Sequence, residues 1–459
     1  MTIRHAVFGL LLLAGPIAGA IVSLAGSSAL AAPAPIGAVA SMAEMQGLNG
    51  AAAPVVQVLS YYPGLNRGGG LFVWNAASGD APDSCTVFAP QKQAAGQKGR
   101  WIRQLSGALD ATMCGAYWDN SHDDAAALTR AFAAASSLRV TLSLPGGTAS
   151  VCSTVKAARA VIVRGQGMGT NGDSAPSPTV VNGGCMKAGW VFDITTPNGA
   201  SSLEAPKYYD MEIQTARNNN PGGCIRWNNA AGGFADAANT QFYMAHPHAE
   251  RIYCSLAGDQ QIGFECSKCF DGDFSQNNII NGKSAIALEG SDVMCIGCAG
   301  PNRLSYASDS LIRMVSHGTF GNMDRVVGNE ILYPTDNHQR YDSFIFDSTR
   351  SSTIESNHIE GIIAGVQSAI HVVGGFSHAI ENNDIDVLSG LGPLGPKPVP
   401  RWLVAEGPFV NFRAFNNGCA GCILGPALFR NQSADFNAGG VRQIITHGGN
   451  AVNGDAGFP

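Results

Sequence analysis

The sequence predicts an all-β fold in which short parallel strands wind into a stack of coils. Three observations predict it: a recurring phrase, a composition suited to tight turns, and β-type alternation without helical crossovers. The phrase is Asn, any residue, then a branched aliphatic, and it recurs at Asn278, Asn302, Asn329, Asn357 and Asn383, in steps of 24, 27, 28 and 26 residues. A period in the twenties is typical of a solenoid whose repeats bury their apolar faces against their neighbours.

Each Asn of the phrase is predicted at one bend of a coil, stacked on its counterparts as an amide ladder. The aliphatic residue two positions later is expected to point inward, so residues one and three positions after the Asn point outward. Composition favours the many tight bends that this needs, because 57 of the 459 residues are Gly and only 14% are charged.

Charge and hydropathy exclude two classes of partner. The net charge is −6 and the chain holds no long basic cluster. Phosphate backbones need concentrated Lys and Arg, so nucleic acid is not an expected partner. After the N-terminus no stretch is long and apolar enough to span a membrane, and stable membrane insertion is not expected.

The N-terminus predicts export. Arg4 and His5 precede an apolar run over residues 6–13, and residues 29–31 (Ala-Leu-Ala) give a small-x-small cleavage site. An uncleaved membrane anchor is the alternative, but interruptions by Gly and Pro favour cleavage. We therefore assign residues 1–31 as a signal peptide and expect a secreted or periplasmic protein, with residues 32–54 as a flexible leader.

Twelve cysteines remain after this cleavage, an even number in an oxidising compartment, and disulfides are expected. Cys266 and Cys269, with Cys295 and Cys298, have the spacing of a four-thiolate zinc site. However, Cys269 and Cys295 lie one coil length apart, which favours a bridge between adjacent coils.

Residues 55–110 predict a small β-rich unit, with strands near Val55–Leu59, Leu71–Trp74, Thr86–Phe88 and Arg100–Arg103. An Ala-rich stretch at about residues 123–137 has helical spacing, and Ser121 with Asp124 resembles a capping box. A single helix at this point predicts an end cap over the apolar interior of a coil stack at residues 111–459.

Two stretches carry a family resemblance. Gly115-Ala116, Asp123-Asp124 and Leu144-Pro145-Gly146-Gly147 resemble the opening of the pectate-lyase-like right-handed parallel β-helix superfamily. Residues 68–74 (Gly-Gly-Gly-Leu-Phe-Val-Trp) and 99–101 (Gly-Arg-Trp) resemble the segment ahead of the β-helix in phage tailspike-like proteins. The resemblance implies a right-handed parallel β-helix, a carbohydrate-facing function and, as in tailspike-like relatives, a possible homotrimer.

Catalytic residues do not carry over from this resemblance. The Asn-Thr-Asp and Asp-Asp phrases of polygalacturonases are missing, as is the calcium and arginine constellation of pectate lyases. The usual Gly-Asp-Gly before the acidic pair is replaced by Trp118-Asp119-Asn120, which bears on the cap rather than on chemistry.

Coil register predicts the candidate site. Positions one after the ladder Asn form a column of Arg303, Glu330, His358 and Asp384, and positions three after it add Glu360 and Asp386. Carboxylates on adjacent coils would lie about 5 Å apart, which suits the two catalytic acids of a retaining glycosidase. Carboxylates two coils apart would lie about 10 Å apart, near the separation found in inverting glycosidases. We predict Glu330, His358, Glu360, Asp384 and Asp386 as catalytic, although charged outward positions also serve solubility.

A loop after Glu330 is predicted to overhang the same face. It supplies His338, Arg340, Tyr341 and Asp342, which with Arg303 we predict to bind substrate. No resident metal is predicted, although a lyase would use Ca²⁺ against an acidic sugar.

The sequence thus predicts a secreted protein acting on an extracellular or periplasmic polysaccharide, as a glycoside hydrolase or a polysaccharide lyase. The alternatives are a non-catalytic glycan-binding or surface-structural β-helix protein and a polysaccharide epimerase. The sequence does not specify the sugar or the linkage.

Overall fold

The computed structural model describes residues 37–94, 96–169, 177–196, 202–230, 243–318, 321–333, 343–361, 368–386 and 401–420, with the strand backbones 427–430, 444–448, 450–452 and 455–458. The signal peptide expected at residues 1–31 lies outside these residues. So does the loop with His338, Arg340, Tyr341 and Asp342.

A small sheet precedes the coils. Its elements are β1 Gly37–Ser41, helix α1 Met42–Gly47, β2 Val55–Ser60, β3 Gly68–Asn75, β4 Val87–Phe88 and β5 Arg100–Arg103. The strands pair in the order β1-β2-β3-β5-β4. The predicted strands are therefore present. The flexible leader is wrong from Gly37 onward, because β1 pairs with β2 and α1 buries Met42 and Met45 in the core of this sheet.

The end cap is helix α2, Ala125–Leu138, which follows a 3-10 helix at Ala111–Cys114. Its buried face includes Leu128 and Phe132, and the Phe132 ring lies 5.8 Å from that of Phe192 in the coil interior. The predicted capping box does not form. Asp124 is the N-cap residue, but its carboxylate accepts hydrogen bonds from the backbone N–H groups of Tyr117 and Trp118 instead.

The coils consist of short strands, and from Leu142 onward no helix joins them in the described part of the chain. The strands are β6 Leu109–Asp110, β7 Leu142–Ser143, β8 Gly147–Ser150, β9 Val155–Lys156, β10 Ile162–Arg164, β11 Thr179–Asn182, β12 Gly189–Thr195, β13 Leu203–Glu204, β14 Lys207–Gln214, β15 Gly222–Asn228, β16 Met244–Ala245, β17 His248–Ser255, β18 Gln261–Ser267, β19 Cys269–Phe270, β20 Asp273–Ser275, β21 Asn278–Ile280, β22 Ser284–Glu289, β23 Cys295–Ile296, β24 Arg303–Ser305, β25 Ile312–Val315, β26 Asp324–Val327, β27 Glu330–Tyr333, β28 Ser343–Ser348, β29 Ser351–Glu355, β30 His358–Gly361, β31 Ser368–Glu381, β32 Asp384–Asp386, β33 Arg401–Phe415, β34 Gly418–Ala420, β35 Ala427–Arg430, β36 Ile444–Gly448, β37 Asn450–Val452 and β38 Asp455–Phe458.

Thirty of these strands form one continuous sheet that winds into a right-handed parallel β-helix. We call three of its sides the first face (β12, β15, β18, β22, β25, β28 and the first halves of β31 and β33), the second face (β20, β23, β26, β29) and the third face (β21, β24, β27, β30, β32, β34). Apolar side chains stack in register inside. Behind the first face these are Phe192, Ile225, Phe264, Ile286, Ile312, Ile345, Ile370 and Leu403.

The asparagine ladder lies at the corner between the second and third faces. Its members are Asn277, Asn302, Asn329, Asn357, Asn383 and Asn417, all at most 1% exposed. Each side-chain N–H of the first five donates to the Oδ1 of the next Asn at 2.8–3.0 Å. The ladder is thus confirmed, but its first member is Asn277 and not Asn278, since Asn278 pairs with Arg303 in the outward column.

Disulfides are confirmed, with one pairing different from expectation. Bridges join Cys85 to Cys114, Cys152 to Cys185, Cys224 to Cys254, Cys266 to Cys269 and Cys295 to Cys298. The expected Cys269–Cys295 bridge is wrong because Cys295 pairs in register with Asp273, not with Cys269. The four thiols are consumed in two local bridges, which also rules out the zinc alternative. Within the described residues no helix is long and apolar enough to cross a membrane.

Candidate functional site

The third face carries the predicted columns as expected from the register. Arg303, Glu330, His358 and Asp384 pair successively across strands β24, β27, β30 and β32. Glu360 and Asp386 pair in the neighbouring column. The aliphatic residues between the columns point inward, with Ile331, Ile359 and Ile385 at most 1% exposed.

Contacts on the third face are loose and open to solvent. His358 lies between two acids, with Nδ1 3.2 Å from an Asp384 oxygen and Nε2 3.6 Å from a Glu360 oxygen. Arg303 Nε lies 3.7 Å from a Glu330 oxygen. All five of these side chains are 43–74% exposed, so water screens their interactions. The predicted substrate loop at residues 335–342 lies outside the described residues, and its contribution to this face stays a prediction.

A second acidic cluster lies on the first face, where the sequence reasoning placed nothing. Its centre is Asp193, whose side chain is only 2% exposed. Oδ1 accepts a hydrogen bond from Arg226 Nε at 2.8 Å and one from the Thr195 hydroxyl at 2.6 Å, and Oδ2 accepts one from Lys156 Nζ at 3.1 Å. Burial alone would raise the pKa of Asp193, but these hydrogen bonds and the charge of Arg226 lower the pKa below its ordinary value.

Glu265 follows in the same column, because Asp193 pairs with Arg226 and Arg226 pairs with Glu265. Burial raises the pKa of the Glu265 carboxyl, and nearby Glu289 adds to the shift, while Arg226 opposes it. Two carboxyls of one cluster therefore have pKa values pushed in opposite directions. Such a division is typical of sites that need one ionised and one protonated acid.

Glu289 lies one coil further on and is held by two basic groups. His317 Nε2 lies 2.8 Å from one of its oxygens, and Arg313 Nε lies 3.8 Å from the other. Its side chain is 28% exposed, so unlike Asp193 it is accessible to a ligand in solution. Glu265 and Glu289 thus form a neighbouring pair in which Glu265 is partly desolvated and Glu289 is oriented by the side chains of His317 and Arg313.

Aromatic groups extend this cluster along the helix axis. The Arg226 guanidinium lies 5.5 Å from the ring centre of Trp190, and that of Arg313 lies 5.3 Å from Phe346. Phe346 in turn meets His371 edge to face. From Asp193 to His371 the column crosses six strand spacings, which makes a stripe about 29 Å long. Asp193, Ala287 and His371 are buried in this column, and Arg226, Glu265, Arg313 and Phe346 are its partly exposed members.

Sequence reasoning missed the first face because no repeated residue marks its register. Asp193 and Arg226 are 33 residues apart, well outside the period of the Asn phrase. The Asn at the third-face corner is visible in the sequence, whereas the first-face strands vary in every outward position. The inward aromatic and aliphatic residues of these strands were the only sequence feature from which their register could have been predicted.

A buried group of Ser352, His378 and Asp347 has the residue types of a hydrolytic triad but not its accessibility. The Ser352 hydroxyl bonds to the Asp347 carboxylate and lies 2.9 Å from His378 Nδ1, and His378 Nε2 donates to the Gly374 carbonyl at 2.8 Å. Burial alone would raise the pKa of Asp347, but His378 lowers it. His378 and Asp347 are fully buried, so no substrate reaches the hydroxyl and the group stabilises the fold.

No metal-binding site is evident among the residues that the structure describes. No group of three or more His, Cys, Asp or Glu side chains there has the arrangement to hold a metal ion.

Comparison with known proteins supports the fold. The sequence profile of the phage tail protein small four-stranded beta-sheet domain matches residues 38–106, which include the small N-terminal sheet. A search of curated proteins by sequence finds no match.

Among solved structures the chain resembles phage tailspikes. The tailspike protein of Acinetobacter baumannii bacteriophage Fri1, a capsular polysaccharide depolymerase, superposes with a TM-score of 0.62 at 13% identity, over 92% of this chain and 76% of that one. Tailspike protein 2 of Escherichia coli O157:H7 bacteriophage CAB120 gives a TM-score of 0.58 at 12% identity, over 91% of this chain and 51% of that one. At this identity the likeness is one of fold: the chain has the tailspike-type right-handed parallel β-helix.

Proposed function

We propose that the protein is a secreted polysaccharide-degrading enzyme, a glycoside hydrolase with its active site on the first face. The observation that carries the proposal is the pair Glu265 and Glu289 on the wall of the β-helix. Burial raises the pKa of Glu265, as a general acid requires, while His317 and Arg313 orient the neighbouring carboxylate. The fold shared with a capsular polysaccharide depolymerase supports the substrate class.

Each group has a distinct role in this proposal. Glu265 protonates the glycosidic oxygen as the bond to the leaving sugar breaks. Glu289, held by His317 and Arg313, takes a proton from the water whose oxygen bonds to the anomeric carbon. Asp193 is a positioning residue, because its carboxylate holds the Arg226 guanidinium between itself and Glu265. Phe346, which is partly exposed beside Arg313, offers apolar surface to sugar rings, whereas Trp190 is only 5% exposed and packs against Arg226.

The third face is the second candidate site. The observation that favours it is His358, whose ring lies within hydrogen-bond distance of Asp384 and 3.6 Å from Glu360. Here Glu330, Glu360 and Asp386 would supply the remaining acids, with Arg303 on the substrate. The open exposure of these groups favours the first face, since a catalytic acid depends on partial desolvation.

A cleavage assay separates the candidate activities. The full-length protein is incubated with bacterial capsular polysaccharides, exopolysaccharides and pectins, with and without Ca²⁺, and products are followed as reducing ends and by ultraviolet absorbance. Reducing ends without absorbance are expected for a hydrolase. Absorbance of an unsaturated sugar, especially one that depends on Ca²⁺, would identify a lyase instead. Changed sugar composition without cleavage would identify an epimerase, and binding alone a glycan-binding protein.

Assembly and export belong to the same proposal. Tailspike-type relatives make a homotrimer the expected assembly, and light scattering of the purified protein tests it directly by mass. Export by cleavage after residue 31 is tested by N-terminal sequencing of protein recovered from the culture medium or periplasm.

A further inference from the structure

A polar groove lies at the corner that leads from the third face to the first face, and its lining includes no member of either acidic cluster. It encloses about 680 Å³, within the usual range of ligand sites. Successive coils supply its lining, since the turns that follow strands β14, β17, β21 and β24 stack in register there. The groups that matter are Arg217, Asn219, Asp259, Asn281, Tyr306 and Ser308.

Tyr306 occupies an unfavourable backbone conformation in this groove. Its φ is +63°, in the left-handed region, where a bulky side chain is disfavoured. The equivalent turn residue one coil earlier is Asn281, φ +66°, a residue type that tolerates this conformation. Tyr306 nevertheless leaves its side chain at the surface, with the residue 45% exposed. An exposed aromatic residue kept at a strained position points to a role other than folding.

Three polar groups of the groove are not used by the fold. Within the described residues, the Arg217 guanidinium, the Asp259 carboxylate and the Tyr306 hydroxyl make no hydrogen bond or ion pair with another side chain or with the backbone. They offer donors and acceptors together, beside an aromatic ring. A sugar ring has the matching surface, because its hydroxyls both donate and accept and its C–H face packs on an aromatic ring.

The backbone beneath these groups is held rigidly. Gln261 is 4% exposed, and its side chain joins two of the turns. Its Oε1 accepts from the backbone N–H groups of Ala257 and Gly258, while its Nε2 donates to the Ala216 carbonyl at 2.9 Å. Ser308 adds a bond from its hydroxyl to the Asp259 carbonyl at 2.7 Å. A preformed site of this kind loses little entropy when it binds a ligand.

We propose that this groove is a second, non-catalytic carbohydrate site that binds a pyranose unit of the polymer and retains it on the enzyme between cleavages. The inference rests on the proposed function for the identity of the polymer. Tyr306 stacks on the sugar, Arg217 donates to its oxygens, and Asp259 accepts from its hydroxyls.

The test uses Tyr306→Asn in the full chain, with binding measured in an E265Q/E289Q background so that the polymer stays intact. An array of capsular polysaccharides, exopolysaccharides and pectins identifies the polymer that the background protein binds best. Affinity electrophoresis on that polymer then compares the variants. We expect at least tenfold weaker binding for Tyr306→Asn and Arg217→Ala, and unchanged binding for Phe376→Ala, an aromatic residue 50% exposed outside the groove.

Thermal unfolding separates a binding role from a structural one. Because Asn tolerates the left-handed conformation, Tyr306→Asn should leave Tm unchanged or raise it while binding falls. A lower Tm with unchanged binding would overturn the site. So would a background protein that binds no polymer of the array, or equal binding by all variants.

Cleavage rates distinguish the proposed second carbohydrate site from the proposed hydrolase activity. Tyr306→Asn in the otherwise unchanged chain should cleave a short oligosaccharide at the original rate and the long polymer more slowly. Cleavage without any Tyr306-dependent binding removes the second site alone. Tyr306-dependent binding without cleavage by the unchanged protein removes the proposed hydrolase and leaves the second site standing.

Discussion

The first and third faces both present acids on stacked strands, yet they differ in how those acids meet water. On the third face His358, Asp384 and Glu360 are 43–74% exposed. On the first face Asp193 is 2% exposed, and burial shifts the pKa of Glu265 upward. The same strand spacing therefore gives an exposed charged surface on the third face and, on the first face, a cluster in which the pKa values of Asp193 and Glu265 are shifted in opposite directions. Register alone does not make a site, because partial burial is also needed to tune the acids.

The largest expected effect is on cleavage. Glu265→Gln keeps the shape of the general acid but removes its proton, so kcat on the cleaved polymer should fall about 10²- to 10⁴-fold. Glu360→Gln is the matched change on the third face and should leave kcat within about twofold. Steady-state rates by reducing-end assay measure both. The reverse pattern would move the active site to the third face.

Weakening the asparagine ladder should lower the stability of the protein without changing its activity. Asn357→Ala removes an amide that donates to Asn383 and to the Val326 carbonyl and accepts from Asn329. The buried partners left behind should cost about 3 kcal/mol of unfolding free energy. The ladder supports the third face, so kcat at a temperature where the variant is folded should not change.

Urea unfolding and kcat are measured on the same preparation of Asn357→Ala. Asn278→Ala is the control, because Asn278 lies beside the ladder without belonging to it, and its unfolding free energy should move by less than about 1 kcal/mol. A loss of kcat in Asn357→Ala at full folding would contradict a first-face site.

Removing one arginine from each face compares the ion pairs directly. Arg226→Met leaves Asp193 buried without its main partner and should cost about 2 kcal/mol of unfolding free energy. Arg303→Met breaks an exposed pair with Glu330 and should cost less than about 1 kcal/mol. Urea midpoints at low and high salt give both values. Equal losses in the two variants would mean that the first-face pair is no better shielded than the third-face pair.

The smallest expected effect is a pH-dependent gain in stability. The pKa of Glu265 is higher in the folded than in the unfolded protein, so the folded state loses stability as pH rises from about 4.3 through the folded pKa. Glu265→Gln should therefore raise Tm at pH 7 and leave it unchanged near pH 4. Calorimetry across that range tests the sign, and a gain that is largest in acid would contradict a raised pKa.

The repeat of the Asn phrase made the fold predictable, but it did not determine the register of each individual turn. The Asn phrase gave the coil period and the outward columns, but Asn277 and Asn278 fit the phrase equally well, and a one-residue difference decides which is buried. Cys269 and Cys295 are separated by a typical period, yet at that corner the coil is shorter and pairs Cys295 with Asp273. A mean period does not fix the register of each turn.

Functional groups were harder to predict than architecture because they depend on burial and backbone angles. Nothing in the sequence distinguishes Glu265 from Glu360, although Glu360 is 43% exposed on the third face and Glu265 lies where burial raises its pKa. Tyr306 follows the ladder phrase of its coil, but its left-handed φ and its groove become visible only when the turns of several coils are stacked.

The five side-chain bonds of the ladder all run in one direction, from each amide N–H to the oxygen of the next coil. Removing or duplicating a complete turn, from one ladder Asn to the next, would leave every remaining amide facing an identical neighbour. Losing a single residue between two of them would not. The coil stack can therefore change its length without breaking the ladder only by whole turns.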